Sequence, residues 1–486
     1  SRATSQHKGI GVFNYPMARS SQTSSDQKLK WWQLSLLGVA CTIGTGFFLG
    51  SHLAIEIAGP AVLLAYVVAG ATAYIVFDKL ARMTASDPLE GSFRSYAKKA
   101  YGRWAGFSSG WVYWSSELLI VGSQLTALSL FSRFWFPRVP MWCFATGFGL
   151  LGLLIVILGT RSFERWENVF AVVKVAAIVL FIVLALLALF GVFRSQGQGA
   201  ALPKQWMPAG IQGLWSSLIF ALYGYGGLEV MGLMALRLEK PESAPKAGTI
   251  MLLLLGAIYV TSLGLALVLQ PWQSFRAEKS PFIVSLADYG LAFVPHVFIG
   301  VQIIAGFSTM TASIFAVTKI LVTMASDRDA PPFFSRSFGK SKKPLAALSL
   351  TTVGLGASVL FALLMPKNLY EYVTTAAGLM LLYNWLFILF TSGRLLKQNG
   401  WGRVKQYLGI ALVVLGVSGT WVHPISRPGL LISLGFIVVI GSVTLLMRRL
   451  WKRTEASAAD PAASSSSSGQ HPVRFKSKVQ PEPDQG

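Results

Sequence analysis

The chain has 486 residues, of which 53% are hydrophobic and only 13% are charged, and its mean hydropathy is +0.55. Soluble globular proteins do not combine so large an apolar fraction with long uninterrupted apolar runs. Runs of roughly 20 apolar residues match a hydrocarbon core about 30 Å thick. The sequence therefore predicts an all-α polytopic membrane protein.

Twelve apolar runs follow one another along the chain, and each predicts one transmembrane helix. The alternating pattern of a β-barrel is absent, and helices are the remaining structure that satisfies its own backbone groups in lipid. Residues 1–30 lack the apolar core of a secretory signal peptide. The predicted spans are 31–57, 61–83, 105–132, 141–160, 169–193, 213–236, 249–270, 293–322, 346–365, 369–391, 406–422 and 429–447.

The polar ends of the chain, 1–30 and 451–486, are expected to be disordered cytoplasmic tails around a transmembrane domain of residues 31–450. Of the 42 Lys and Arg residues, 33 lie on the side of the predicted N-terminus and 8 on the other side. This asymmetry predicts a multi-pass protein of the plasma membrane with both termini in the cytoplasm. The net charge of +22 is spread over alternate loops, which indicates topology and anionic lipid rather than nucleic-acid binding.

Glycines interrupt the first predicted span in Cys41-Thr-Ile-Gly-Thr-Gly-Phe-Phe-Leu-Gly50. A break in a spanning helix leaves backbone groups without partners. A new N-terminus beyond Gly46 offers NH groups and a positive dipole end to a carboxylate, while the carbonyls before Gly44 suit an ammonium group or a metal cation. The alternative is close helix packing, since Gly46 and Gly50 form a small-xxx-small pair.

A second break is predicted in the sixth span, in Phe220-Ala-Leu-Tyr-Gly-Tyr-Gly-Gly-Leu-Glu229. Spans one and six are the first members of two successive sets of five helices. Breaks at matching positions of two repeats indicate a binding site at the membrane midplane, as in secondary transporters. Because each break offers both NH and carbonyl groups, a zwitterion is the ligand that fits.

Three ionisable residues inside the predicted spans stand out: Glu117, Lys174 and Glu229. Burying such a group in a membrane is costly, so each indicates pairing or function. Glu229 is expected to fix the unwound segment or to carry a proton. Lys174 is expected to occupy the position of a bound sodium ion, with a snorkelling lysine as the alternative. Glu117 is expected either to pair with another group inside the helix bundle or to contact the substrate.

Aromatic residues flank the second break. Tyr223 immediately precedes the glycines and is the better candidate for a gate over the ligand. Tyr225 is expected either to stack on the ammonium group of the ligand or to pack against neighbouring helices. The two cysteines lie in apolar spans and predict neither a disulfide nor a metal site, and the five histidines are scattered. The sequence thus predicts no cofactor and no enzyme active site, and it does not indicate the oligomeric state.

The chain resembles the amino-acid permeases of the APC superfamily, closest to the bacterial amino-acid transporter branch, over residues 31–450. Besides the two breaks and Lys174, the resemblance rests on four motifs in order. These are Ala58-Gly-Pro-Ala-Val-Leu-Leu-Ala65, Gly91-Ser-Phe-Arg-Ser-Tyr-Ala97, Trp104-Ala-Gly-Phe-Ser-Ser-Gly-Trp-Val-Tyr-Trp114 and Ser326-Asp-Arg-Asp-Ala-Pro331. It implies a five-plus-five inverted repeat like that of leucine transporters, with broken helices one and six and two additional C-terminal helices.

The resemblance also implies roles for individual residues. Backbone NH groups at the first break bind the substrate carboxylate, carbonyls near Tyr223 and Gly226 bind its ammonium group, and Lys174 replaces sodium as in proton-coupled relatives. Substrate-binding residues are then Thr42, Ile43, Gly44, Thr45, Gly46, Tyr223, Tyr225, Gly226 and Gly227. Proton coupling involves Lys174, Glu229 and Glu117, and the supporting residues are Gln124 together with Ser308 and Thr311 beside the cation-like site.

Two positions depart from the pattern of the superfamily. Gln124 stands where many relatives have glutamate, and Leu236-Arg237 replaces a common acidic pair after the sixth span. The expected function is import of an amino acid by proton symport, with a small or medium neutral substrate such as threonine, serine or alanine. The alternatives are an exchanger, a sodium-coupled symporter, and a sensor that binds amino acids without transporting them.

Overall fold

The structure, a computed structural model, describes residues 28–275, 279–339, 343–364 and 368–459, without the side chains of 160–164, 361–363 and 454–459. Two isolated bridges are the only strand-type pairing in these ranges, so the predicted all-α class is confirmed. The helices, in chain order, are α1 (Trp31–Thr42), α2 (Thr45–Phe48), α3 (Gly50–Ala58), α4 (Val62–Ser86), α5 (Phe93–Tyr101), α6 (Arg103–Ser132), α7 (Met141–Leu158), α8 (Thr160–Leu189), α9 (Gly210–Tyr223), α10 (Leu228–Met234), α11 (Ala244–Leu269), α12 (Pro281–Ser285), α13 (Phe293–Ser326), α14 (Leu345–Leu364), α15 (Leu369–Leu395), α16 (Gly400–Val422) and α17 (Arg427–Ala459).

Nine helical segments of the described chain are long and apolar enough to cross a membrane. Each of the twelve predicted spans coincides with a helix or with a set of shorter helices: α1 to α3 form the first span, and α9 with α10 forms the sixth. One of the nine, Thr45–Ser86, covers the end of the first predicted span together with the second, and two predicted spans fall outside the nine. The buried face of α6 carries serines, Glu117 and Gln124, and the apolar part of α14 is shorter, at Leu345–Leu360.

Helices that lie five spans apart along the chain contact each other. The halves of the first span pack on the halves of the sixth, α1 on α10 and α3 on α9. The second span packs on the seventh (α4 on α11), the third on the eighth (α6 on α13), and the fourth on the ninth (α7 on α14). Two interlocked five-helix repeats of opposite orientation produce this pairing, and it brings the two broken helices together.

A buried ion-pair cluster joins α5, the start of α6 and the segment that follows α13. The side chain of Arg94 in α5 is fully buried and pairs with Asp327 at 2.7 Å and with Asp329. Arg103, at the start of α6, reaches the other oxygen of Asp329 at 3.0 Å. The acidic residues of the motif that follows α13 thus tie this segment to α5 and α6.

Residues 28–30 and 451–459, which the sequence assigns to the two disordered tails, have defined structure. The backbone of Leu29 donates to Arg237 at 2.8 Å and accepts from Glu239 at 2.9 Å, so the chain is anchored before residue 31. At the other end α17 continues beyond residue 450 to Ala459. The boundaries of both predicted tails are corrected for one reason: backbone pairing at one end, and a helix at the other, extend past the apolar run that marks a span. The rest of the predicted tails lies outside the described residues.

Candidate functional site

The first break lies between α1 and α2. Ile43 and Gly44 have extended backbone conformations, and the helix resumes at Thr45 with Gly44 as its N-cap. The new N-terminus therefore begins at Thr45 rather than beyond Gly46 as the sequence suggested, because one extended residue after Ile43 suffices to interrupt the helix. A side chain at Gly44 would lie 2.3 Å from the hydroxyl of Thr309, so the break requires glycine here.

The second break spans the residues between the end of α9 at Tyr223 and the start of α10 at Leu228. Gly227 has φ of +115°, a conformation that side-chain-bearing residues rarely adopt. A Cβ atom on Gly227 would lie 3.4 Å from the hydroxyl of Thr42, and one on Gly46 would lie 2.9 Å from the Tyr223 ring. The two breaks therefore face each other at close range.

A small cavity lies between the breaks. Its volume is about 40 Å³, and one water needs roughly 10–15 Å³ on this measure, so the cavity holds about three waters in this conformation. Its wall is completed by α6 and α13. The lining residues are Cys41, Thr42, Gly44, Gly46, Glu117, Ile120, Gln124, Tyr223, Gly226, Gly227, Val230, Thr309, Ala312 and Ser313.

Opposite backbone polarities meet at this cavity. The first NH groups of α2 have no acceptor within their own helix. At the end of α1 the carbonyl of Ala40 accepts from Lys174, and at the end of α9 the carbonyls of Leu222 and Tyr223 accept from the turn NH groups of Tyr225 and Gly226. Each of these carbonyls keeps a second lone pair. The NH ends suit an anionic group and the carbonyl ends a cationic group. The hydroxyl of Thr42 is buried at the cavity wall and has no hydrogen-bond partner in the described part of the chain, so it is available to a bound molecule.

Gln124 connects the first break to the second. Its side-chain oxygen accepts from the hydroxyl of Thr45 at 2.6 Å, and its amide donates to the hydroxyl of Tyr223 at 3.5 Å. Tyr370 donates to the carbonyl of Thr45 at 3.2 Å. The amide at position 124 therefore orients the tyrosine that the sequence identified as a gate, and it does so without a charge.

Two of the predicted ionisable residues lie close together but in different settings. Glu117 is buried and lines the cavity opposite Val230 and Ala312. Glu229 is fully buried behind the second break, where it accepts from Trp385 and, at 3.2 Å, from the backbone NH of Gly227. Glu229 therefore fixes the unwound segment rather than lining the cavity.

Lys174 is also fully buried, in the middle of α8. Its ammonium group donates to the carbonyl of Ala40 at 2.8 Å, near the C-terminal end of α1. A snorkelling lysine would place this group at the membrane surface, so that alternative is not supported. Lys174 instead links α8 to the end of α1, the first half of the first broken helix.

Sequence reasoning missed Glu167, which is buried in α8. The predicted fifth span starts at residue 169, whereas the helix in the structure begins at Thr160 and therefore includes Glu167. Ser308 donates to this carboxylate at 2.8 Å and Thr311 at 3.2 Å. A signal was present in the sequence: Glu167 is seven residues from Lys174, which places the two on the same helical face.

The remaining predicted residues separate into those near the cavity and those away from it. Ser308 and Thr311 face α8, whereas Thr309, one position along α13, lines the cavity. The hydroxyl of Tyr225 donates to the carbonyl of Tyr66 at 3.1 Å, outside the cavity lining. Ile43 is also outside the lining. In the described ranges no group of His, Cys, Asp and Glu could hold a metal ion.

Two broken helices that meet at a small buried cavity inside interlocked five-helix repeats define a class, the secondary transporters with a midplane binding site. The sequence profile described as amino acid permease matches residues 33–449. The chain belongs to the amino acid permease family and is a multi-pass membrane protein that transports amino acids.

Individual relatives match over nearly their whole length. The chain is 53% identical over 435 residues to the uncharacterized transporter YcgH of Bacillus subtilis, covering 88% of this chain and 97% of the relative. It is 29% identical over 444 residues to the aromatic amino acid transport protein AroP of Escherichia coli O6:H1, covering 88% and 96%. AroP of Salmonella typhimurium strain SL1344 is likewise 29% identical, over 430 residues. The family and these relatives are transporters rather than enzymes.

Proposed function

We propose that this permease imports a neutral amino acid together with a proton across the plasma membrane. The observation that carries the proposal is the cavity between two helix breaks, where the NH end of α2 and the carbonyl ends of α1 and α9 meet. An amino-acid zwitterion has the complementary pair of charges. The excess of Lys and Arg in alternate loops supports an orientation with both termini in the cytoplasm.

In the proposed complex the substrate carboxylate binds the NH groups at Gly44, Thr45 and Gly46, and its ammonium group binds carbonyls near Tyr223 and Gly226. The unpartnered hydroxyl of Thr42 supports a ligand at this position. Tyr223, held by Gln124 against the first break, closes the site on one side. Rocking of the bundle around this fixed site then exposes it to the other side of the membrane.

Proton rather than sodium coupling is supported by Lys174. A buried ammonium group already stands against the end of α1, where a coupling cation would otherwise interact with backbone carbonyls. Glu117 at the cavity and Glu229 behind the second break are the carboxylates that we assign to proton transfer. Both carboxylates are buried, and two ionisable groups of like charge in one buried region titrate as a coupled pair.

The walls around the cavity favour a small or medium neutral side chain such as that of threonine, serine or alanine. Glycines form much of the lining, and Ile120, Val230 and Ala312 supply its apolar part. The AroP relatives carry the description of aromatic amino acid transport. Aromatic amino acids are therefore the second substrate class to test.

The test is uptake of radiolabelled amino acids into proteoliposomes under an inward proton gradient, with and without sodium. The panel contains small neutral and aromatic amino acids. We expect gradient-dependent, sodium-independent accumulation of a small neutral substrate. Uptake that requires sodium, or that occurs only into vesicles preloaded with amino acid, would replace symport with the sodium-coupled or exchange mechanism. Saturable binding without uptake under any of these conditions would indicate a sensor.

A further inference from the structure

Glu167 is a buried carboxylate to which the proposed transport cycle gives no role. Its residue is only 3% exposed, and a carboxylate inside a membrane protein is costly unless it is paired or used. Hydroxyl groups of Ser308 and Thr311 donate one to each of its oxygens. Two neutral donors satisfy its hydrogen bonding, but they do not neutralise its charge.

The groups that face Glu167 come from three helices. The thiol of Cys41, from α1, lies 3.9 Å from the oxygen that also accepts from Ser308. Lys174, which is also buried, lies two turns further along α8 on the same face of the helix. We call the place where α1, α8 and α13 meet the three-helix junction.

The junction holds α1, the first half of the first broken helix. Lys174 donates to the carbonyl of Ala40 at 2.8 Å, and an ammonium group is favoured at the C-terminal end of a helix. An ammonium group with no opposite charge nearby would be expensive to bury here. Glu167 is a carboxylate on the same face of α8 as Lys174, and hydrogen bonds from Ser308 and Thr311 fix it to α13.

We propose that Glu167 is a positioning residue of the transport cycle: together with Lys174 it fastens this half of the first broken helix to α8 and α13. The consequence for transport rests on the function proposed above, but the fastening is a property of the fold and can be measured without transport. When α1 is released, the site opens to the side of the membrane on which α1 lies.

Thiol labelling on α1 measures the fastening directly. Cys41 touches Glu167 and is unsuitable as a reporter, so the background carries Cys41→Ser and Cys143→Ala, which removes both native cysteines. The reporter is Ser35→Cys, since Ser35 is buried and donates to the carbonyl of Ala247 in α11 at 2.8 Å. The rate of its reaction with a membrane-permeant maleimide increases when α1 moves away from α11.

We expect Glu167→Gln to increase this labelling rate roughly tenfold, a size typical of coupling between linked elements. Lys174→Ala should act in the same direction, and Glu167→Asp should restore part of the protection because the charge remains. The matched control is Thr318→Ala, which removes a buried hydroxyl of α13 that bonds only to the carbonyl of Ile314. A Glu167→Gln protein that labels at the parent rate would overturn the proposal.

Transport kinetics separate a positioning role from a purely structural one. If fastening biases the carrier towards accepting external substrate, Glu167→Gln raises the external KM at least several-fold, while substrate counterflow persists. Faster labelling with an unchanged KM would overturn the role in transport. Ser308→Ala, which keeps the charge of Glu167 and removes one donor, provides a milder variant if Glu167→Gln does not elute as a folded species. Absence of transport by the parent protein would refute the proposed function, whereas labelling still tests the fastening.

Discussion

At the scale of single residues, the buried ionisable groups are distinguished by their contacts. Lys174 bonds to a backbone carbonyl of α1, Glu229 accepts from Trp385 and from the unwound segment, and Glu117 lines the cavity. A membrane interior leaves such groups only the partners that the fold supplies. Their substitutions therefore remove either a charge or a link between helices, and the two effects can be measured apart.

Glu229→Gln removes a charge and keeps the shape of the side chain. The amide oxygen can still accept from Trp385 or Gly227, so we expect the protein to fold and to reach the membrane. Accumulation under a proton gradient should fall to background, while counterflow between equal substrate pools continues. Glu90→Gln, at an exposed position, is the control for charge removal. Normal accumulation by Glu229→Gln would exclude this residue from coupling.

Lys174→Ala removes both a charge and the bond to Ala40. We expect loss of gradient-driven accumulation to background, measured in the same proteoliposomes, because α1 is no longer held by the ammonium group. The amount of folded protein, measured by size-exclusion chromatography, serves as the control. If the variant accumulates substrate at the parent rate, Lys174 has no part in the mechanism.

At the scale of elements, the breaks depend on glycines in specific conformations. Gly227 has φ of +115° and ends the unwound segment, so any side chain there is strained. Gly44 has an ordinary extended φ but no room for a Cβ atom beside Thr309. Gly227 is required by its backbone conformation, and Gly44 is required by the close approach of α13.

Gly227→Ala should destabilise the folded protein by about 1–2 kcal/mol through backbone strain and should reduce uptake strongly, because α10 can no longer start at the same angle. Thermal unfolding in detergent and initial uptake rates check the two effects. The matched control is Gly356→Ala in α14, where a Cβ atom meets no atom within 4 Å and φ is not positive. Equal behaviour of the two variants would contradict this account of the second break.

At the scale of the whole molecule, a buried ion-pair cluster ties several helices together at one end of the bundle. Arg94 and Asp329 are both fully buried there and join α5 to the segment after α13, with Arg103 from α6 on the same carboxylate. Removing one partner of a buried ion pair leaves the other charge uncompensated. The stability of the scaffold should therefore depend strongly on this cluster.

We expect Arg94→Ala to lower the free energy of unfolding by about 3–5 kcal/mol. Lys99→Ala is the matched control, because Lys99 lies in the same helix as Arg94 and pairs with Asp87, and the two side chains are 53% and 44% exposed; its cost should stay below about 1 kcal/mol. Thermal unfolding of the purified proteins in detergent measures both. A loss for Arg94→Ala no larger than that of the control would contradict the stabilising role of the cluster.

The sequence by itself determined the number and order of the spans, the two broken helices and the family. Lipid imposes these features locally: a span needs a run of apolar residues, and a break needs glycine. For that reason Gly44, Gly226, Gly227 and Tyr223 could be identified as cavity-lining candidates before the structure, and the structure brings all four to one cavity.

Only the tertiary structure decided which face of each helix meets the cavity and which polar groups become partners. Ser308 and Thr309 are neighbours in sequence, yet one bonds to Glu167 and the other lines the cavity, because successive helical residues point about 100° apart. Glu167 entered the bundle because α8 begins before its apolar run. Contacts between distant segments, such as Lys174 with Ala40, depend on how helices pack and leave no mark in local composition.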